Sequence, residues 1–332
     1  MKSPNSSAGA FGWDFQSNAA IMLMLKNMIS ATSVKVEGDT EDIEISLDNG
    51  EMVYSQAKSV FKPDDYTNVI AKLQSGLRTL DNAAKNANVE KLIYITNSPN
   101  PFNNVQNMFA FSGSLTRLKY GQLPDTCKEK IEELCQSHNY TFNRAMLSVY
   151  VMQFYGDDDN RFKVIKDITN EFLESIGLGD RGLGAEILKY WQSAFSNNAT
   201  LRDTSIIISK KQMIWPLIVS VCRVDKNDAV LADCDACDFE EISGRYRAII
   251  NNKTERFEFI AKVMAAYTSY KPAMHSAQKT REFIATQWSN LKDEFDAPNM
   301  DAAILEMVVK VALGNVIRSR KLIADLKREV NL

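Results

Sequence analysis

"EGDTEDIEISLDNGEMVYSQAKSV", residues 37–60, reads as two β-strands joined by a tight turn. Side chains alternate faces along a strand, so Asp42, Glu44 and Ser46 share one side and Ile43, Ile45 and Leu47 share the other. In the second strand Gln56 and Lys58 lie together, opposite Val53 and Ala57. A three-residue loop at Asp48-Asn49-Gly50, with Gly50 left-handed, pairs Leu47 with Glu51, Ile45 with Val53, Asp42 with Gln56 and Thr40 with Lys58. A two-residue Asn-Gly turn would set Asp42 against Ala57 and split the polar group across both faces. The hydrophobic pattern favours the longer loop. The polar residues are therefore expected to converge.

Elements on either side extend this hairpin into a sheet. The two strands are read as 33–47 and 52–60, preceded by a buried or half-buried helix over 13–29 entered through Trp13 and Phe15. Pro63-Asp64-Asp65 reads as a helix start, because proline fits a first turn and acids suit the positive end of the dipole. Tyr66, Val69, Ile70, Leu73, Leu77 and Leu80 continue that helix to about residue 87. "KLIYIT" (91–96) is a further strand, ended by the loop "NSPNPFNN". A strand-helix-strand crossover implies a parallel pair added to the hairpin, hence an α/β fold with a mixed sheet flanked by helices. Beyond residue 104 helical patterns dominate. They include "CKEKIEELCQSH", "RFKVIKDITNEFLESIGLG", and helices near 253–270, 276–294 and 300–329. "SIIISKKQMIWPLIVSV" carries short β-type runs broken by Pro216, and the acidic 224–244 reads as a linker. The domains are expected at 1–222, with an α/β core over 10–115 and a helical extension, and at 223–332, a mainly helical domain.

Converged Asp42, Gln56 and Lys58 suit phosphodiester hydrolysis. A carboxylate, with Glu37 or Glu44 nearby, can hold Mg²⁺ through oxygen ligands while the ion keeps several waters. The Gln56 oxygen can complete the shell, and Lys58 can orient the attacking water and offset charge building on the phosphate. The plainer alternative is a solvated hairpin face with a weak Asp–Lys pair.

"FQSNAAIML" in the first helix, "EGDTEDIEI" and "YSQAKSV" together resemble the PD-(D/E)XK nuclease core, in the variant with Gln at the acid position. More narrowly they resemble the CBASS-associated double-stranded DNA endonuclease domain and the nuclease subunit of Lamassu-type anti-phage systems. "YITNSP" and "KKQMIWPLIVSV" add to the likeness, which covers mainly the first hundred residues. The resemblance implies a restriction-endonuclease-like core in which Asp42 binds the metal, Glu37 is a second ligand, Gln56 stands at the acid position and Lys58 is catalytic. Gln16, Glu44, Thr96 and Asn97 support the site. It further implies Mg²⁺ or Mn²⁺ as cofactor and double-stranded DNA as substrate. An SMC-like, ABC-type ATPase and a third small subunit are the implied partners, and activity is restrained until release or homo-oligomerisation. No Pro precedes Asp42, and Gln56 is neutral, which asks Glu37 or Glu44 to contribute to the metal. A non-catalytic scaffold or a sequence-specific restriction-like nuclease are the alternatives.

The bulk numbers are compatible. Across 332 residues the net charge is −3, with 45% apolar and 24% charged residues, as in a folded soluble chain of about two domains. A local basic groove, with Lys62, Lys72, Arg78 and Arg117 as candidates, could still bind phosphates. No signal peptide is recognised, and "AAIMLMLKNMI" is too short to span a bilayer, so a cytoplasmic protein without membrane contact is expected. Five scattered cysteines suit a reducing compartment. "GLGDRG" (177–182) follows a helical pattern and reads as a helix C-cap and loop rather than a dinucleotide motif. Cys135, His138, Cys234 and Cys237 are a candidate zinc set only if distant pairs meet. The stripe Ile304, Val308, Val311, Ile317, Leu322 and Leu326 reads as core, or as a face for partner docking.

Overall fold

The computed structural model describes residues 4–156, 160–201, 203, 205–222, 240–245, 257–272, 276–295 and 300–332. The chain forms two compact units, Met1–Lys210 and Lys211–Leu332. In the first, seven strands form one mixed sheet in the order β5-β6-β4-β3-β2-β1-β7. The strands are β1 (Ala31–Val36), β2 (Ile43–Leu47), β3 (Met52–Lys58), β4 (Val89–Thr96), β5 (Leu115–Lys119), β6 (Leu147–Met152) and β7 (Ile208–Ser209).

The hairpin has the register expected from its turn. Leu47 N–H donates to Glu51 O at 2.9 Å, Gly50 sits at φ 82°, and Ile45 faces Val53. Its first strand is shorter than expected, because 33–47 is not continuous. The chain turns back at 37–42, so β1 and β2 are separate antiparallel strands and Thr40 never reaches a position opposite Lys58. Glu37, at φ 55°, donates its N–H to Asp42 O at 2.8 Å and closes this turn. Gly38-Asp39 was the local signal for it.

The helix after the hairpin, α2 (Val69–Ala83), starts later than Pro63 suggests. Asp65 accepts the Thr67 N–H at 3.1 Å, so the acids bend the chain instead of opening a helix. Through α2 the chain crosses to β4, which runs parallel to β3 from Met52↔Val89 to Lys58↔Thr96. Two strands lie where helices were expected. "LSVYVM" forms β6, buried between β4 and β5, and "LTRLK" forms the edge strand β5. Runs this short carry too little period to separate strand from helix.

Helix α1 (Pro4–Lys26) buries Phe15, Ala19, Ile21, Met22, Leu23 and Met24 fully. A helix apolar all round must be enclosed, and α1 packs against β1–β3 as well as α4 (Lys163–Ser175) and α5 (Gly184–Ala199). On the Tyr54, Leu92 and Tyr94 side, α2 and α3 (Asp125–His138) close a second core with Leu73, Leu77, Leu80 and Ile131. "GLGDRG" connects α4 to α5 as a loop, with Gly177 and Gly182 at positive φ.

In the second unit the described helices include α6 (Lys210–Val221, which begins one residue before the unit boundary), α7 (Phe257–Ser269), α8 (Ser276–Leu291) and α9 (Ala302–Glu329). Pro216, expected to break β-type runs, lies inside α6. Val308, Val311, Ile317 and Leu326 of α9 are core, while Ile304 and Leu322 are half-buried. Most of the expected linker, up to residue 239, falls outside the described residues, and its remaining part, 240–244, is helical with Ile242 buried rather than an open connection. No helix among those described is long and apolar enough to cross a membrane.

Gly76 lets α2 sit close to the sheet. A Cβ there would lie 2.6 Å from the Tyr94 ring, which is fully enclosed and cannot yield. Gly76→Ala should therefore cost about 1–3 kcal/mol in urea denaturation despite alanine's better helix propensity. Gly121→Ala, with nothing within 4 Å of its Cβ, should change little.

Candidate active site

β3 and β4 end at the same edge of the sheet, and the chain enters β2 beside them. Continuing the ladder one step past Ile43↔Ser55 sets Asp42 opposite Gln56. One Asp42 oxygen, Oδ2, then gathers three donors: the Gln56 amide, the Ala57 N–H at 3.0 Å and Lys58 Nζ at 3.8 Å. The other oxygen takes none of these bonds. Gln56 is buried, while Asp42 and Lys58 are half-buried. Burial raises the Asp42 carboxyl above its usual range, although Lys58 and the Ala57 N–H oppose that rise.

Gln16 joins the site from α1. Its amide donates to Glu37 Oε1 at 2.7 Å and to Asp42 O at 3.0 Å, which ties the 37–42 turn to the helix. Glu37 is thus present, with one oxygen already engaged. Glu44 takes none of the donors that gather on Asp42. It accepts the Thr40 and Glu41 N–H groups at 2.8 and 3.1 Å and holds the turn in shape. Thr96 and Asn97 brace the strand ends. Thr96 Oγ1 accepts the Ser98 N–H, and the Asn97 side chain bonds Val60 N and O at 2.6 and 2.9 Å and Phe154 O at 2.8 Å.

Of the candidate DNA-binding cations, Lys72 comes to this site. Its amine donates to Ser59 O, and burial, then the charge of Lys58, hold it below its usual range. Arg78 lies on α2 near Tyr140, Arg117 on the edge strand near Tyr150, and Lys62 is exposed in the loop before α2. The zinc candidates give no site among the described residues. Cys135 is buried in the α3 core, His138 contacts Gln74 and stacks on Tyr140, and Cys234 and Cys237 lie outside the described residues.

Sequence reasoning missed Glu41. In a continuous strand its side chain would point away from Asp42, toward the Ile43 face; the turn at 37–42 removes that constraint. It is 3% exposed, and neither carboxylate oxygen has a hydrogen-bond partner. Such a group is costly to bury. Burial, then the adjacent Asp42 carboxylate, push its carboxyl up to about 8.

The donors fit a hard cation that keeps much of its water. Among the described residues no three His, Cys, Asp or Glu side chains gather into a metal cage. Carboxylates with one amide oxygen, the ion's other positions being left to water, would suit Mg²⁺ or Mn²⁺ better than a closed zinc site. The Gln56 oxygen now accepts from the Thr79 hydroxyl while its nitrogen faces Asp42. A half-turn of the amide would bring oxygen toward Asp42, an arrangement that a cation between the two oxygens favours.

The sequence matches no protein-family model, and no curated protein is similar at a significant level. A solved structure similar to part of the chain is the Acinetobacter baumannii Cap4 SAVED/CARF-domain containing receptor with the cyclic trinucleotide 3′3′3′-cAAA. The two share 11% identity at a TM-score of 0.40, over 63% of this chain and 45% of that one. The chain thus spans under half of that receptor's length, and a likeness at this level carries no argument about activity.

Glu41 also makes a stability prediction. An unfolded glutamate loses its proton near 4.5, whereas the folded chain holds it until about 8. The folded state binds the extra proton between those values, so stability falls as pH rises across that window and then levels off. The loss is at most about 5 kcal/mol, at roughly 1.4 kcal/mol for each pH unit. Thermal melts from pH 5 to 8.5 should show this slope, and Glu41→Gln should remove Glu41's share of it, leaving the part of the same sign due to Asp42.

Proposed function

We propose that this chain is a divalent-metal-dependent endodeoxyribonuclease with a PD-(D/E)XK-type core. The observation that carries the reading is Asp42 Oδ2 receiving Gln56, the Ala57 N–H and Lys58 where β3 and β4 end together. Asp42 and the Gln56 oxygen, with the second carboxylate that the resemblance assigns to Glu37, would hold Mg²⁺ or Mn²⁺, which supplies Lewis-acid polarisation of a phosphoryl oxygen and a more acidic water. Lys58 donates toward the attacking water and sets positive charge where the phosphate gains negative charge. Lys72 beside it offers a second cation to the DNA backbone. Gln16 fixes the turn that carries Glu37 and Asp42, so both stay aligned with β3.

The motif resemblance supplies the setting: an effector of a prokaryotic anti-phage complex, restrained until an SMC-like ATPase partner or homo-oligomerisation releases it. The test is Mg²⁺-dependent cleavage of linear and circular duplex DNA by the purified chain, with and without the neighbouring operon products. Lys58→Ala should lower the rate by about 10²–10³-fold. Defined fragment ends would indicate a sequence-specific nuclease. No cleavage in any combination, with phage protection unchanged in Lys58→Ala, would leave a scaffold.

A further inference from the structure

From the orphaned side chain beside Asp42, we infer that Glu41, rather than Glu37, is the second carboxylate ligand of the divalent cation. The inference rests on the nuclease reading above and deepens it. A carboxylate that is 3% exposed, with neither oxygen hydrogen-bonded, calls for a partner that the protein does not supply. The buried carboxylates that brace this region do have partners. Asp81 accepts the Thr141 and Phe142 N–H groups, the latter at 2.9 Å. Glu37 spends one oxygen on Gln16 at 2.7 Å, and Glu44 is occupied by two backbone N–H groups. Glu41 alone of the acids around Asp42 has neither carboxylate oxygen engaged, and it lies near enough to Asp42 and Lys58 for both charges to act on it.

The Thr79 hydroxyl lies near Glu41 but donates to the Gln56 oxygen and to Gly76 O, so it does not satisfy the carboxylate. A hard cation shared with Asp42 satisfies Glu41 oxygens and offsets two like charges at once. This assignment also accounts for the neutral Gln56. With Glu41 supplying the second negative charge, the position opposite Asp42 contributes an amide oxygen without leaving the ion under-neutralised. Glu37 then acts as a positioning residue, held by Gln16 to shape the turn that delivers Glu41 and Asp42 together.

The experiment is Mn²⁺ binding to the full chain, read by calorimetry and by the EPR signal of free Mn²⁺. Wild type, Glu41→Gln, Glu41→Asp, Glu37→Gln and Asp42→Asn are compared in parallel with DNA cleavage. Glu41→Gln should weaken Mn²⁺ binding at least tenfold, raise Tm without metal above about pH 8, where the buried carboxyl is charged, and lose most of the Tm rise that Mn²⁺ gives wild type. Glu41→Asp should keep part of the affinity, which a role confined to packing would not produce. Wild-type affinity in Glu41→Gln, or a larger loss in Glu37→Gln than in Glu41→Gln, overturns the assignment while leaving the nuclease reading intact if wild type cleaves DNA. Absence of Mn²⁺ binding by wild type overturns both.

Discussion

The turn at Asp48-Asn49-Gly50 sets the register on which the candidate site depends. Gly50 takes a left-handed conformation that a side chain would strain, and this makes the loop three residues long. With that length Ile45 meets Val53 in the core, and the next polar step brings Asp42 to Gln56. A slip of one residue would turn Ile43 and Ile45 outward and carry Asp42 to the far side of the sheet. Burial of the isoleucines therefore fixes the position of the carboxylate. Structural stability and the candidate chemistry share one constraint.

Around that register the molecule accepts local cost. Glu37 holds a backbone conformation that residues with a side chain seldom adopt, and Glu41 is buried without a partner. Two lysine amines lie close enough for one to disfavour the charge of the other. Each feature opposes folding taken alone, and all three lie at one end of the sheet. Departures of this kind concentrate where a ligand, rather than the protein, completes the interactions. The surrounding bonds are of the opposite kind: Asn97, Gln16 and Glu44 each satisfy two or more backbone or side-chain groups and hold the strand ends and turns in place.

The reach of sequence reasoning follows from the range of each signal. Asp42, Gln56 and Lys58 were legible because alternation and turn chemistry act over a dozen residues. Gln16 was reached only through resemblance, since nothing in α1 itself marks one amide as different from its neighbours. Glu41 was hidden because residues 33–47 read as one strand, in which its side chain falls on the Ile43 face. "LSVYVM" was hidden for a related reason: six residues with a mixed pattern do not distinguish a strand from a helix segment. Pro216 misled by a rule that holds on average and fails where the helix tolerates it.

By itself, the sequence determined the β2–β3 hairpin, its register and the parallel return of β4, because short-range sterics and periodic burial suffice for those. Tertiary structure alone decided that β6 inserts beside β4, that α1 brings Gln16 to Glu37, and that α2 closes over Gln56 through Gly76. It also decided that Glu41 is enclosed without a partner. Those outcomes depend on which distant surfaces exclude water from one another, and no local window of sequence contains that information.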